Sequence, residues 1–168
     1  MSEMPPPDGR AVARFCCLAL GVALADQLIK LAVVRDMALG ESRRVLGALL
    51  SLTRQANTGA AFGMFPWASE ALTVAGVIVS VVLVIWAVRS AASHPRLALP
   101  LALILGGALG NRGDRLFRGQ VVDYLDVHFW PVFNLADVAL TIGVVWFGVR
   151  LICCPAPAPS AASPEEEA

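Results

Sequence analysis

Between Glu70 and Arg89 the chain runs for 18 residues, Ala71 to Val88, without a charge. Wound into an α-helix at 1.5 Å per residue, that run is about 27 Å long, close to the hydrocarbon thickness of a bilayer. Comparable apolar stretches lie around residues 12–34, 97–112 and 134–152. The whole sequence of 168 residues is 57% hydrophobic and 15% charged, with a mean hydropathy of +0.69. Soluble domains are about 25% charged, so this balance excludes an ordinary soluble enzyme and a disordered chain. The apolar runs are continuous rather than alternating, which also excludes a transmembrane β-barrel. The expected fold is an all-α integral membrane protein with four transmembrane helices over about 12–34, 71–89, 97–112 and 134–152.

The remaining segments are polar. Residues 1–11 and 154–168, rich in proline or alternating Pro and Ala, are expected to be disordered tails around a membrane domain spanning 12–153. Leu49 to Ala56 has the weak alternation of a short strand. Asn57 to Gly63 reads as a small-residue loop, Met64 to Trp67 as an interfacial segment, and 116–131 as a loop. Net charge is zero, from 13 basic and 13 acidic residues, so nothing draws the chain to nucleic acid. The four cysteines fall in two adjacent pairs, Cys16–Cys17 and Cys153–Cys154, unlike a disulfide framework or a zinc site.

Ionisable groups at membrane depth are costly and mark functional sites. Asp26, Lys30, Asp114, Arg115, Asp123 and Asp137 all fall at or beyond the helix ends on one membrane face. Asp26 and Lys30, spaced i,i+4, form an ion pair on one helix face. Adjacent Asp114 and Arg115 point apart and each needs another partner. Asn57, Asn111 and Asn134 bring three amides to the same level. Gly106 and Gly110 form a small-xxx-small pair for close helix contact.

Asp123 and Asp137 have no obvious local cation. If they meet, repulsion in a low dielectric makes them share a proton. One carboxyl can then act as base toward water and the other as acid, as in aspartic proteases. A proton or cation relay is the equal alternative from these residues. Other chemistries lack support. His94 and His128 are too far apart for a metal motif. There is no G-x-S-x-G elbow or P-loop, and Ser51, Ser69 and Ser80 have no histidine at motif spacing.

Five blocks carry a resemblance: Asp26-Gln-Leu-Ile-Lys30; Asn57-Thr-Gly-Ala-Ala-Phe-Gly63; Gly106-Gly-Ala-Leu-Gly-Asn111 with Asp114-Arg115; Val121-Val-Asp-Tyr124; and Phe133-Asn-Leu-Ala-Asp137. In that order, the chain resembles the bacterial lipoprotein signal peptidases, or type II signal peptidases, across about residues 15–150. The resemblance implies an intramembrane aspartyl endopeptidase of the inner membrane that cuts diacylglyceryl-modified prolipoproteins before the lipidated cysteine. It makes Asp123 and Asp137 the catalytic dyad. Asp26, Lys30, Asn57, Gly107, Asn111, Asp114, Arg115, Asn134 and Ala136 become supporting residues. It further implies a small extracytoplasmic β-cradle, cytoplasmic termini, membrane lipids as surroundings, a monomer, and no metal or organic cofactor.

Two features run against that pattern. Arginines number seven on the site side (35, 43, 44, 54, 112, 115, 118) and five on the terminus side (10, 14, 89, 96, 150), which by the positive-inside rule alone favours the reverse topology; the resemblance overrides this count, with several of these arginines expected to serve the site or lipid headgroups. Arg112-Gly113 stands where the family has larger apolar residues, so Arg112 is expected to snorkel to lipid phosphates and Gly113 to loosen the helix end. A small proton-coupled transporter and a non-catalytic membrane assembly factor are the competing readings. The transporter predicts carboxylates near the midplane and an internal repeat, neither of which the sequence shows.

Overall fold

The structure, a computed structural model, describes residues 8–58, 66–90 and 94–153. Expected tail residues 1–7 and 154–168, and most of the loop and interfacial segment at 59–65, lie outside them. Four long helices, α1 (Gly9–Asp36), α2 (Pro66–Ser90), α3 (Pro95–Arg118) and α4 (Leu135–Cys153), are joined to a three-stranded antiparallel sheet. Its strands are β1 (Ser42–Leu46), β2 (Leu50–Asn57) and β3 (Val121–Asp126), in the order β1-β2-β3.

α1 shows why the apolar runs fold as they do. Asp8 caps it, accepting a hydrogen bond from the Arg10 amide at 2.9 Å. Phe15, Ala19, Asp26, Lys30 and Val33 form a single buried stripe at helical spacing, while Leu20, Leu24, Leu28 and Leu31 remain exposed. Exposed leucine, isoleucine and valine also cover α2 and α4. Apolar surface of that extent belongs against lipid. Among the described residues, α1 and α4 are long and apolar enough to cross a bilayer, and α2 carries a shorter apolar stretch, Val74–Arg89.

α3 packs between α1 and α4 and is thinned for both. A Cβ on Gly106 would lie 2.7 Å from the Ala19 carbonyl oxygen on α1, and one on Gly107 would lie closer still to the Ala136 carbonyl oxygen on α4. The neighbours are backbone atoms, so nothing flexible can give way. Gly107→Ala is therefore expected to lower stability by about 2–3 kcal/mol. Gly148→Ala, with nothing within 4 Å of its Cβ, should be neutral or slightly stabilising. Thermal unfolding in detergent checks this pair, and equal melting temperatures would contradict the close approach.

Two apolar clusters bracket the polar residues. Toward the termini, Phe15, Leu83, Ala87, Leu101 and Leu105 tie α1, α2 and α3 together, with Phe15 and Trp86 tilted against each other at 5.9 Å. At the other end, Val33 of α1 and Met37, which caps it, pack on Val122 and Tyr124 of β3. The sheet therefore rests on the last turn of α1.

The chain departs from the sequence reading in several places. The first helix begins at Gly9, inside the expected tail 1–11, because Asp8 caps it there, and the second begins at Pro66, taking in the end of the expected interfacial segment. The third helix does not stop near 112: it continues to Arg118, where Gly119 (φ 73°) closes it in the left-handed conformation. Asp114 and Arg118, at i,i+4, form an ion pair that carries the extra turn. Gly113 does not loosen the helix end, because the helix runs through it, with Gln27 in ordinary contact range of a Cβ there. Finally, 116–131 is not all loop. Residues 121–126 form the buried strand β3, and β1 pairs with the expected strand β2.

Candidate active site

The polar residues meet where α1, α3, β3 and the start of α4 converge. Lys30 is fully buried. Its Nζ lies 2.7 Å from Asp26 Oδ2, 2.8 Å from Asp114 Oδ2 and 2.9 Å from Asn111 Oδ1. A lysine can only donate, so the contact fixes which end of the Asn111 amide faces it. Asn111 Nδ2 is then left to donate to Asp137 Oδ1 at 2.8 Å. One buried ammonium thus neutralises two carboxylates and orients an amide against a third.

Asp137 is placed by local helix chemistry. Asn134-Leu-Ala-Asp137 is a capping box: the Asp137 amide donates to Asn134 Oδ1 at 3.0 Å, and the Asn134 amide donates to Asp137 Oδ2 at 3.1 Å. With its oxygen so occupied, Asn134 directs Nδ2 outward. It donates to Asn111 Oδ1 at 3.0 Å and to Asp123 Oδ1 at 2.6 Å. Asn57, the last residue of β2, donates to the other Asp123 oxygen at 2.8 Å. Asp123 and Asp137 are therefore joined through the amides of Asn111 and Asn134. The half-buried guanidinium of Arg115 is attracted first by Asp137 and then by Asp123, and its buried Nε finds no acceptor among the described residues.

The other expected supporting residues act through backbone and packing. The Ala136 amide, in the first turn of α4, donates to Asp26 Oδ1 at 3.0 Å. Gly107 admits α4 against α3, as described above. Tyr124 Oη accepts from the Leu135 amide at 3.2 Å, and burial pushes its hydroxyl up to about 12, so it stays neutral. Sequence reasoning missed Tyr124 as a residue that holds the start of α4. It also missed Gln27 and Arg118. Gln27 Nε2 donates to the Gly110 carbonyl at 2.8 Å and to Asp114 at 3.1 Å, and Arg118 reaches both Asp114 and Gln27. The i,i+4 spacing of Asp114 and Arg118 was the available signal.

Burial pushes the Asp123 carboxyl from 3.8 up to about 6, and the charge of Asp137 adds to the effect. Hydrogen bonds from Asn57 and Asn134 and attraction from Lys30 act the other way. The folded protein thus holds this proton to a higher pH than the unfolded chain, so this group's contribution to stability falls as pH rises from about 4 to about 6. A 13C titration of the Asp123 carboxyl in detergent should centre near 6. Asn57→Ala should raise it, because the lost bond favoured the charged form. A midpoint below about 5 would contradict the desolvation argument.

One serine does meet a histidine, though across 77 residues rather than at motif spacing. Ser51 Oγ lies 3.4 Å from His128 Nε2, and His128 Nδ1 lies 3.3 Å from Asp126 Oδ1. Ser51 is only 1% exposed, so its hydroxyl is out of reach of a peptide. The group instead holds the turn after β3, where His128 takes the left-handed conformation (φ 66°). Cys16, Cys17 and Cys153 are free thiols, and Cys154 lies outside the described residues.

The chain is similar to known proteins over most of its length. Residues 18–153 match the family model described as signal peptidase (SPase) II. A lipoprotein signal peptidase of Moorella thermoacetica is 46% identical over 133 residues, covering 78% of this chain and 87% of the relative. One from Burkholderia mallei is 44% identical over 146 residues, covering 82% and 86%. Two solved structures described as bacterial membrane enzymes superpose with TM-scores of 0.77 and 0.78, each at 29% identity. They cover 90% and 89% of this chain, and 93% and 98% of their own. With most of its length matched, the chain belongs to the signal peptidase II family.

Proposed function

We propose that this protein is an intramembrane aspartyl endopeptidase that removes the signal peptide from diacylglyceryl-modified prolipoproteins, cutting before the lipidated cysteine. The observation that carries the reading is the pair Asp123 and Asp137, held together by Asn111 and Asn134, with Asp123 pushed up to about 6. Asp123 carries the shared proton and Asp137 is the base. Asp137 takes a proton from water as its oxygen attacks the scissile carbonyl, and Asp123 protonates the carbonyl oxygen. On collapse of the tetrahedral intermediate the C–N bond breaks, Asp137 gives the leaving amine the proton it took from water, and a hydroxyl of the intermediate returns its proton to Asp123. Arg115, with a spare donor beside both carboxyls, holds a substrate carbonyl.

In this reading all four helices span the bacterial inner membrane and the protein works as a monomer, with its sheet and site outside and both termini in the cytoplasm. The arginine pattern supports that topology once the fold is considered. Arg54 caps the Val34 and Met37 carbonyls, and Arg43 binds the Asp36 carbonyl. Arg118 pairs with Asp114, and Arg115 faces the dyad. With those four of the seven engaged in the fold, the site-side excess no longer argues for the reverse topology. An apolar groove of about 400 Å³, running from Leu135 beside the site along Val138 and Ile142 to Leu18, offers an acyl chain a place to lie. The lipidated substrate reaches such a site by diffusing within the bilayer.

The test is cleavage of a diacylglyceryl-modified prolipoprotein by the purified protein in detergent, with the unlipidated precursor alongside. Mass spectrometry should place the cut immediately before the modified cysteine and find the unlipidated form largely intact. No product from a substrate that an authentic peptidase cleaves would overturn the reading. Proton flux in liposomes without cleavage would instead favour the relay.

A further inference from the structure

β2 carries Asn57 to Asp123, but its pairing with β3 is interrupted just before it does so. Ser51 and Leu52 pair with Asp126 and Leu125, and then Gln55, Ala56 and Asn57 pair with Asp123, Val122 and Val121. Two residues on β2, Thr53 and Arg54, therefore stand opposite one on β3, Tyr124. That is a β-bulge, a device that re-aims side chains near functional sites. The Tyr124 amide donates to the Phe133 carbonyl instead, so the ladder alone does not hold the bulge in place. Movement of the extra residue along β2 would shift 55–57 by one position and turn Asn57 to the other face of the sheet.

Arg54 supplies the missing constraint. Its guanidinium donates from one nitrogen to the Met37 carbonyl at 2.6 Å and to the Val34 carbonyl at 3.1 Å, both at the end of α1. Those carbonyls have no partner further along the helix, and the helix dipole places negative charge there. The Arg54 backbone is held as well. Its amide donates to the Glu41 carbonyl at 3.0 Å, and its carbonyl accepts from the Gly40 amide at 2.9 Å. The bulged residue is thus bound to α1, and α1 also carries Asp26 and Lys30.

We infer that Arg54 is a positioning residue for the peptidase site: it pins the β2 bulge to the end of α1 and thereby aims Asn57 at Asp123. This rests on the peptidase reading for its effect on rate, but the geometry has its own readout. Loss of Asn57's hydrogen bond moves the Asp123 titration upward whether or not the protein cleaves anything.

The experiment compares Arg54→Met, Asn57→Ala and the double variant in the intact protein. Each single change should lower kcat about tenfold with KM within about twofold, the size expected for one charge-assisted hydrogen bond. The double variant should be no slower than Asn57→Ala, because Arg54 acts through that residue. The 13C titration of Asp123 should move to higher pH in all three. Arg54→Lys, which still reaches a carbonyl, should recover at least half of both effects. Arg54→Gln, too short to span to α1, serves with the same expectations should Arg54→Met not fold. Multiplying losses in the double variant, or an unmoved Asp123 titration in folded Arg54→Met or Arg54→Gln, would overturn the inference. Wild-type protein that cleaves nothing while the titrations shift as stated would sink the peptidase reading and leave the pinning intact.

Discussion

Asp123→Asn and Asp137→Asn are each expected to lower kcat by about 10³- to 10⁴-fold, with the protein still folded. The size follows from the proposed roles: in that reading each change removes one half of an acid–base pair, and positioned general acid–base groups contribute up to about 10⁴-fold. The two residues act as one unit, so the double variant should be scarcely slower than either single one. The surroundings differ, and so should the stabilities. At position 137 an asparagine keeps one oxygen for the Asn134 amide or for Asn111, and the capping box survives in part. At position 123 both oxygens likewise accept amide donors, from Asn57 and Asn134, but this carboxyl is buried whereas Asp137 is only half-buried. An asparagine at either position turns its own NH₂ against one donor, and at 123 no water can relieve the clash. Asp123→Asn should therefore melt below Asp137→Asn although the two lose similar activity. Cleavage rates read with melting temperatures check both statements. A well-folded variant retaining a tenth of wild-type activity would remove that carboxyl from the chemistry.

How far the site could be read from sequence depends on whether a contact is local or distant. Asp26–Lys30 was legible because i,i+4 spacing alone brings the charges together, and the structure holds them at 2.7 Å. That Lys30 also serves Asp114 was not, since 84 residues and a helix packing separate them. The membrane character lay in the uncharged runs, but the ends of α3 did not. Arg112, Asp114, Arg115 and Arg118 read as departure from a helix, whereas the fold uses two of them as internal partners. β3 was the clearest omission. Val121-Val-Asp-Tyr-Leu-Asp does not alternate cleanly, because its first four residues are all buried between the sheet edge and the helices. Asn134-Leu-Ala-Asp137 carried a capping-box signal that the sequence reading passed over, taking Asn134 as a site amide and Asp137 as one of the paired carboxylates. Gly106 and Gly110 were recognisable as a close-packing pair, while the tightest approach, Gly107 on Ala136, is set by which face of α3 meets α4.

Lys30→Met is expected to be the most damaging single change outside the dyad. Methionine fits the stem of the lysine and removes only the ammonium, so packing is nearly preserved. Two fully buried carboxylates, Asp26 and Asp114, then lose their shared cation, and only Asp114 keeps another in Arg118. Removing one partner of a buried ion pair costs about 3–5 kcal/mol, because the charge left behind is neither paired nor hydrated. In a chain of this size that lowers the melting temperature by about 10 °C. Asn111 is affected too. Lys30 is the donor that fixes its oxygen, so without it the amide is free to turn and Nδ2 leaves Asp137. Activity should fall even at temperatures where the variant stays folded. Lys30→Met with Asp26→Asn separates the two effects. It removes the unpaired charge while keeping an oxygen for the Ala136 amide, so most of the lost stability should return. The orientation of Asn111 is not repaired, so activity should stay low. Lys30→Met melting within about 2 °C of wild type would show that Asp26 and Asp114 are already neutral in the folded protein, and the ammonium could then not be the group that sets the charge of this site.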